Sequence, residues 1–423
     1  MERENIACGV WFDAVKDEKF KGNRISVNFI TELDEETVSG NAIVPFVLKR
    51  GKSFTELNRS LDEMYGADLY AEASAFGKYQ TLTLEIIGIG DKYALNGEKL
   101  SEECAKLLDK LIFEPNITDG EFGKLDVELE KNNLINAIEA EINDKRAYAL
   151  GRCAEIMFKG EPYGIKKCGV TQKALEITPK SAAEAYYRII DKADIEILFL
   201  GSGDADGVKS VFEKRFKNMK RDPINIDFSS RKAPDRPVIE QKETMDINQG
   251  KLVMAFRTND SDTREKRMAI QLMNAMFGAT PFSKLFVNVR EKESLCYYCV
   301  SRFDRKTNVM TVDSGIEFGN FEKAKDGIKK QLEDMKNGVF GDEDITQAKL
   351  YMQNAYKTVE DSLGGIEGWR LSQILCGGNE TPLKSAEDIV KVSREDIIKA
   401  ARSFELDTVY FLKGTEAERD ADE

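Results

Sequence analysis

The sequence contains no histidine. That absence excludes a histidine general base, a Ser–His or Cys–His nucleophile and any histidine-ligated zinc. A metal site built from carboxylates alone has no clustered signature here. Long apolar runs are absent as well. The longest, from Ile195 to Leu200, is strand-sized, well short of the roughly 18 residues that span a bilayer. Positive charge is in deficit: 62 Lys and Arg against 75 Asp and Glu leave a net charge of -13, which argues against a nucleic-acid footprint. The first residues, MERENIACGVWF, hold no apolar core of signal-peptide length, so a cytoplasmic location is expected. The seven cysteines, at 8, 104, 153, 168, 296, 299 and 376, form neither a disulfide framework nor a zinc-ribbon spacing. In Cys296-x-x-Cys299, positions three apart on a strand face opposite sides. The two thiols are therefore expected not to converge, and to serve as reduced packing residues.

What is present is an ordinary soluble balance, 41% apolar and 32% charged over 423 residues, enough for two domains with full cores. Strands are expected at 5–15, 24–32, 68–75, 79–89, 195–201, 251–257, 309–316 and 409–412. Helices are expected at 37–48, where Pro45 would kink the turn, and at 53–64, with Ser53 as N-cap. Further helices are expected at 97–112, 181–190, 266–277, 322–337, 342–359, 366–375 and 394–403, and 118–150 reads as one long helical stretch. Residues 222–240 carry three prolines among polar neighbours and form the best linker candidate, dividing the chain into domains 1–221 and 241–423. The two halves repeat one another in order. Residues 175–201 parallel 388–414, 117–133 parallel 340–356, and 60–74 occupy the place of 288–302. Strand pairs alternating with helix runs imply an α+β sandwich, a sheet covered on one face by helices. The tail 415–423 is acidic and expected to fray.

The chain is organised around Phe282 to Phe303, FSKLFVNVREKESLCYYCVSRF. Leu285, Phe286 and Val289 give a short helix one apolar face, and LCYYCV suits a strand. Arg290 ends the helix and Tyr297 follows seven positions later. A guanidinium fork and a phenol hydroxyl together suit a carbonyl-rich ligand such as a peptide backbone. The bland alternative has Arg290 over the last helical carbonyls and Tyr297 as a packed strand aromatic.

The run Gly278-Ala279-Thr280-Pro281-Phe282-Ser283-Lys284-Leu285-Phe286, followed by Arg290-Glu291-Lys292-Glu293-Ser294-Leu295-Cys296-Tyr297, resembles the C-terminal half of M16-family metallopeptidases, the pitrilysin and mitochondrial-processing-peptidase group. The resemblance covers nearly the whole chain. It implies two homologous M16-type domains, LuxS/MPP-like α/β sandwiches, forming half a clamshell, with Arg290 and Tyr297 as the substrate-holding pair and Gly278 and Phe282 lining the binding chamber. Active members carry H-x-x-E-H on the first long helix. In the matching frame this chain has Ile43, Phe46 and Val47, so the metal motif is degenerate. The later metal-binding glutamate falls near Asn136 or Ala137; Glu139 and Glu141 are close by but read as solvated charges. The sequence looks most like the zinc-less subunit of bacterial two-chain pairs of the elongation-factor-P-modification-associated type. The resemblance thus implies no cofactor on this chain, zinc in a partner subunit, a peptide substrate, and a heterodimer with a zinc-bearing homologue or else a homodimer; neither nucleic acid nor membrane is implied. The alternative is a non-catalytic scaffold like the core subunits of the bc1 complex. Gly201-Ser202-Gly203, with Gly207, resembles a dinucleotide fingerprint, but its spacing is off by one and no second βαβ unit follows.

Overall fold

Apolar residues recurring largely at alternate positions build the first sheet in the computed structural model, which describes residues 3–415. Its strands are β1 (Glu4–Ala7), β2 (Val10–Lys16), β3 (Gly22–Glu32), β4 (Asp68–Phe76), β5 (Tyr79–Ile89) and β8 (Asp194–Gly201); β6 (Ile117–Thr118) and β7 (Glu121–Phe122) form a small separate ribbon. The order is β1-β2-β8-β3-β5-β4, with β2 and β8 parallel and β3 antiparallel to both β8 and β5. The strand expected at 5–15 is instead a hairpin, because Gly9 takes a left-handed turn at φ +61°. Ile25, Val27 and Phe29 of β3, Leu82, Leu84 and Ile86 of β5, and Ile195, Ile197 and Phe199 of β8 share one buried face. Helices Val38–Lys49, Leu100–Phe113, Pro179–Lys192 and Ala205–Phe216 supply much of the rest of that core.

The opposite face of the sheet is polar and equally closed. Asp13, Ser26, Asn28, Glu85 and Glu196 are all buried there. Helix Leu363–Leu375 lies over this face and meets it through charge. Arg370 Nε donates to Asp13 at 2.5 Å, and Glu367 pairs with Arg24 Nε at 2.5 Å, while Arg24 Nη2 holds Glu85 at 2.6 Å. The sheet expected to carry helices on one face therefore carries one on its second face too.

The second sheet repeats the first. Its strands are β9 (Ile239–Met245), β10 (Gly250–Arg257), β11 (Cys296–Asp304), β12 (Val309–Ile316) and β13 (Glu405–Gly414), in the order β11-β12-β10-β13-β9. Position by position this matches β4-β5-β3-β8-β2, including one parallel pair, β9 with β13, where the first sheet has β2 with β8. Strand β9 begins at Ile239, inside the stretch read as linker, and is too polar to have been recognised as a strand. Helix Lys145–Met157 covers one face, placing Ala149, Cys153 and Met157 against Val253, Ala255, Tyr410 and Leu412.

That helix corrects the reading of 118–150 as one continuous stretch. Helix Lys124–Ala140 ends, and Asp144 starts a new helix by accepting from the N–H groups of Arg146 and Ala147, each at 3.0 Å. The break matters for organisation. The chain forms two units: one from residues up to Ala140, Ile165–Asp227 and Ser362–Asn379, the other from Glu141–Gly164, Phe228–Asp361 and the chain from Glu380 onward. Each sheet is built from strands of one half of the sequence, yet each unit takes a helix from the other half. Helix Pro382–Ile389 was not foreseen. No helix among the described residues is long and apolar enough to cross a membrane. The acidic tail lies, beyond Thr415, outside the described residues. The architecture is α+β.

Candidate functional site

Arg290 and Tyr297 are brought to one cleft by two local irregularities. Residues Leu285–Lys292 wind as a π-helix, wider than the helix expected. Its last turns are closed by Glu293 N donating to Asn288 O at 3.0 Å and Leu295 N to Val289 O at 3.1 Å, with Ser294 in the left-handed region at φ +50°. Leu285 and Val289 are buried and anchor the helix, leaving Arg290 on the outer side. Its guanidinium stacks 4.5 Å from the Phe286 ring centroid and meets Glu291 at 3.8 Å, a loose exposed pair that contributes little.

The second irregularity is a β-bulge. Cys296 pairs with Ile316 and Tyr298 with Gly315, so Tyr297 is the extra residue that opposes nothing. Strand β11 is also the edge of its sheet. Tyr297 is 58% exposed, with its hydroxyl 3.5 Å from Glu317 Oε1, at the outer limit of a hydrogen bond. The bulge thus holds a tyrosine outward with its donor hardly engaged. Arg290, Glu291, Ser294, Leu295, Cys296, Tyr297, Glu317 and Asn320 line a cleft of about 400 Å³. Sequence reasoning missed Glu317 and Asn320. The signal was the pairing itself: Ile316 sits opposite Cys296, so the next residue must reach the mouth beside Tyr297.

Two of the expected site residues lie elsewhere. Gly278 is buried, and a Cβ there would come within 2.6 Å of both Leu285 Cδ1 and Ser301 Oγ; close packing, not chamber lining, demands glycine. Phe282 packs edge-on against Tyr351 at 6.0 Å and borders a separate 200 Å³ hollow with Met276, Lys284 and Phe340. Neither residue borders the Arg290/Tyr297 cleft.

The cysteine reading also needs correction. The extra residue at 297 restores the parity that a three-residue spacing would break. Cys296 and Cys299 sit opposite Ile316 and Ser314, two apart on β12, and so share one face of the sheet. The bulge makes the two side chains neighbours on that face. Tyr298 takes the other face, stacked under Arg146 at 4.5 Å, and Arg146 in turn grips buried Asp313 at 2.7 Å.

The degenerate metal motif lies on helix Val38–Lys49, which runs through Pro45 without breaking. Ile43 is 0% exposed, Val47 is buried and Phe46 packs against the same core. These side chains hold no donor for a metal, and they fill the space that donors would need. Asn136, Ala137 and Glu139 are exposed, whereas Glu141 falls in the second unit. Among the described residues no group of three or more His, Cys, Asp and Glu side chains is placed to hold a metal ion. Among the described residues, the side chains at this motif therefore do not fit zinc. The glycine loop after β8 is likewise occupied by its own fold. The N–H groups of Ser202 and Gly203 donate to Asn23 at 3.0 and 3.1 Å, and that of Asp204 to Asp91 at 3.0 Å, which leaves no cradle for phosphate.

Comparison with known proteins agrees with this geometry. Residues 176–352 match the family described as Peptidase M16 inactive domain. Over 96% of both chains the sequence is 34% identical to a probable inactive metalloprotease, YmfF, of Bacillus subtilis. Among solved structures, a conserved protein from Enterococcus faecalis superposes with a TM-score of 0.89 at 27% identity, covering 98% of each chain. A chain of complex III from Candida albicans superposes with a TM-score of 0.74 at 13% identity, over 97% of this chain and 95% of that one, a likeness of fold alone.

Proposed function

The chain belongs to the M16 peptidase family, and we propose that it serves as the non-zinc subunit of a two-chain peptidase, binding the substrate backbone for a zinc-bearing homologue. The observation that carries this reading is Tyr297. A packing tyrosine would be turned inward on its strand; this one is held out by a bulge, exposed, with its hydroxyl barely engaged, in the same cleft as an arginine whose fork is only loosely paired.

Hydrolysis itself would be supplied by the partner's zinc; this chain's residues bind and orient. A peptide lies extended along the partner's sheet edge, its carbonyls presented to the cleft. Tyr297 donates to the carbonyl at or next to the scissile bond and stabilises negative charge as it develops there. Arg290 fixes a neighbouring carbonyl, so the pair sets the register of the backbone. The proposed pair works in the cytoplasm. A homodimer of this chain would bind peptide without hydrolysing it, because the described residues of each copy hold no metal ligand set.

Tyr297→Phe keeps the ring and deletes the donor. In a complex with the zinc-bearing homologue it should lower kcat about a hundredfold or more while leaving association unchanged. Wild-type turnover in that complex would rule out the role. A second reading, an assembly scaffold, is favoured by the apolar filling around Ile43 and Val47, which has converted a catalytic helix into ordinary core. A scaffold has no use for the Tyr297 hydroxyl, so the same substitution separates the two.

A further inference from the structure

We propose that Cys296 and Cys299 form a reactive dithiol in the wall of the Arg290/Tyr297 cleft, a modification site at which a peroxide converts the two thiols into an intrachain disulfide. The inference is independent of any peptidase role. Four observations meet at this point. The bulge at Tyr297 puts both cysteines on one face of β11 as neighbours, opposite Ile316 and Ser314. Cys296 is half-buried and borders the cleft, where a small oxidant reaches it. Cys299 is 1% exposed and shielded from solvent. Arg290 borders the same cleft and supplies positive charge.

The electrostatics fix which sulfur acts first. The neighbouring Cys299 thiol draws the Cys296 pKa down, and the Arg290 charge adds to the effect against the cost of burial. Cys299 moves the other way, its pKa raised by the adjoining Cys296 and by burial. Ser314 has a single hydroxyl proton, and it goes to the Tyr298 carbonyl at 2.8 Å, so the serine does not share in holding a thiolate. The first proton the pair loses therefore leaves the accessible sulfur, while the buried one keeps its own.

The chemistry balances with a peroxide as oxidant. The Cys296 thiolate attacks one peroxide oxygen; the O–O bond breaks, a sulfenic acid forms and hydroxide leaves. Cys299 then attacks the Cys296 sulfur; the S–S bond forms, the S–O bond breaks, and the departing hydroxide takes the Cys299 proton as water. Two thiols and one hydrogen peroxide give one disulfide and two waters, and a low-molecular-weight thiol reverses the change. The ring so closed contains Tyr297, so oxidation constrains the bulge that aims its hydroxyl.

The test uses the full chain, reduced, exposed to limiting hydrogen peroxide and then alkylated and mapped by mass spectrometry. Exposed Cys8 is the internal control. The expected result is a Cys296–Cys299 disulfide while Cys8 stays alkylatable, with Cys296 alkylated at least about tenfold faster than Cys8 at neutral pH. In Cys299→Ser, Cys296 should accumulate as a sulfenic acid trapped by dimedone. In Arg290→Gln, its alkylation should slow several-fold. Oxidation of Cys8 before Cys296, or a sulfenic acid at Cys296 that persists in the wild type without bridging to Cys299, would overturn the proposal. The wild-type measurement alone decides it, whether or not the variants fold.

Discussion

Restoring a histidine at the degenerate motif should break the core rather than rebuild a metal site. Ile43 is fully buried in the cluster that includes Val47, Leu84, Ile86 and Phe199. Ile43→His removes an aliphatic side chain whose burial contributes about 1.5–3 kcal/mol. It also introduces two ring nitrogens that meet no polar partner in that cluster, at about 1–3 kcal/mol more. The sum, roughly 2.5–6 kcal/mol at pH 7.5, is a large share of the roughly 5–15 kcal/mol that holds a typical domain folded, and should lower the melting temperature by roughly 10 °C. A pH signature follows. Burial lowers an imidazole's pKa, so the unfolded chain binds the proton first as pH falls. The variant should therefore lose about a further 1.4 kcal/mol per pH unit below about 6.5, relative to wild type. The wild-type chain has no histidine, so this difference belongs to position 43 alone. The assay is urea denaturation of wild type and variant at pH 7.5 and 5.5, with and without zinc. A variant as stable as wild type, or one stabilised by zinc, would refute the claim that Ile43 is structural core and reopen a metal site here.

The buried charges beneath helix Leu363–Leu375 give two further predictions. Arg370→Leu strands the Asp13 carboxylate, which is 1% exposed, and should cost about 3–5 kcal/mol in urea denaturation; a cost under about 1 kcal/mol would mean that the helix does not depend on this pair. Glu85 is pushed up to about 7 by burial first and then by the charge of Glu367, with Arg24 opposing. The folded state therefore binds its proton more readily than the unfolded chain, and the stability this provides at low pH is lost as pH rises from about 4.5 to 7. Glu85→Gln should leave stability near pH 5 unchanged and raise it at pH 8 by about 1 kcal/mol or more; equal denaturation midpoints at pH 8 would contradict the assignment. Gly278→Val should destabilise the second unit through the Leu285 and Ser301 contacts, with a lower melting temperature as the readout, and an unchanged melting temperature would undo the packing argument.

Much of this architecture was legible because it rests on period. Strands β3, β5, β8, β10 and β12 alternate or run fully apolar, and the order of elements in the two halves announces the repeat that the matching sheet orders display. The failures share a cause: they occur where one residue shifts the parity of a pattern or where tertiary contacts decide. The helix expected over 118–150 breaks because Asp144 caps a new helix, and its second part is held by the other half's sheet. Strand β9 is too polar to be recognised and exists because β13 offers it an edge. At the site, Arg290 and Tyr297 could be named from type and spacing, but Gly278 and Phe282 could not be placed, since only the fold shows which hollow each one borders. The cysteine pair was misjudged by one residue: without the bulge at Tyr297, the argument that its thiols diverge would have been sound.

The central claim is that this chain lacks hydrolytic chemistry of its own and supplies substrate contacts to a zinc-bearing homologue. The most direct measurement is peptidase activity with added zinc, for this chain alone, for its zinc-bearing homologue alone and for the two mixed. The account predicts turnover in the mixture well above either chain alone, abolished by a chelator. Turnover by this chain alone, or a homologue whose rate is unchanged by its presence, would contradict it.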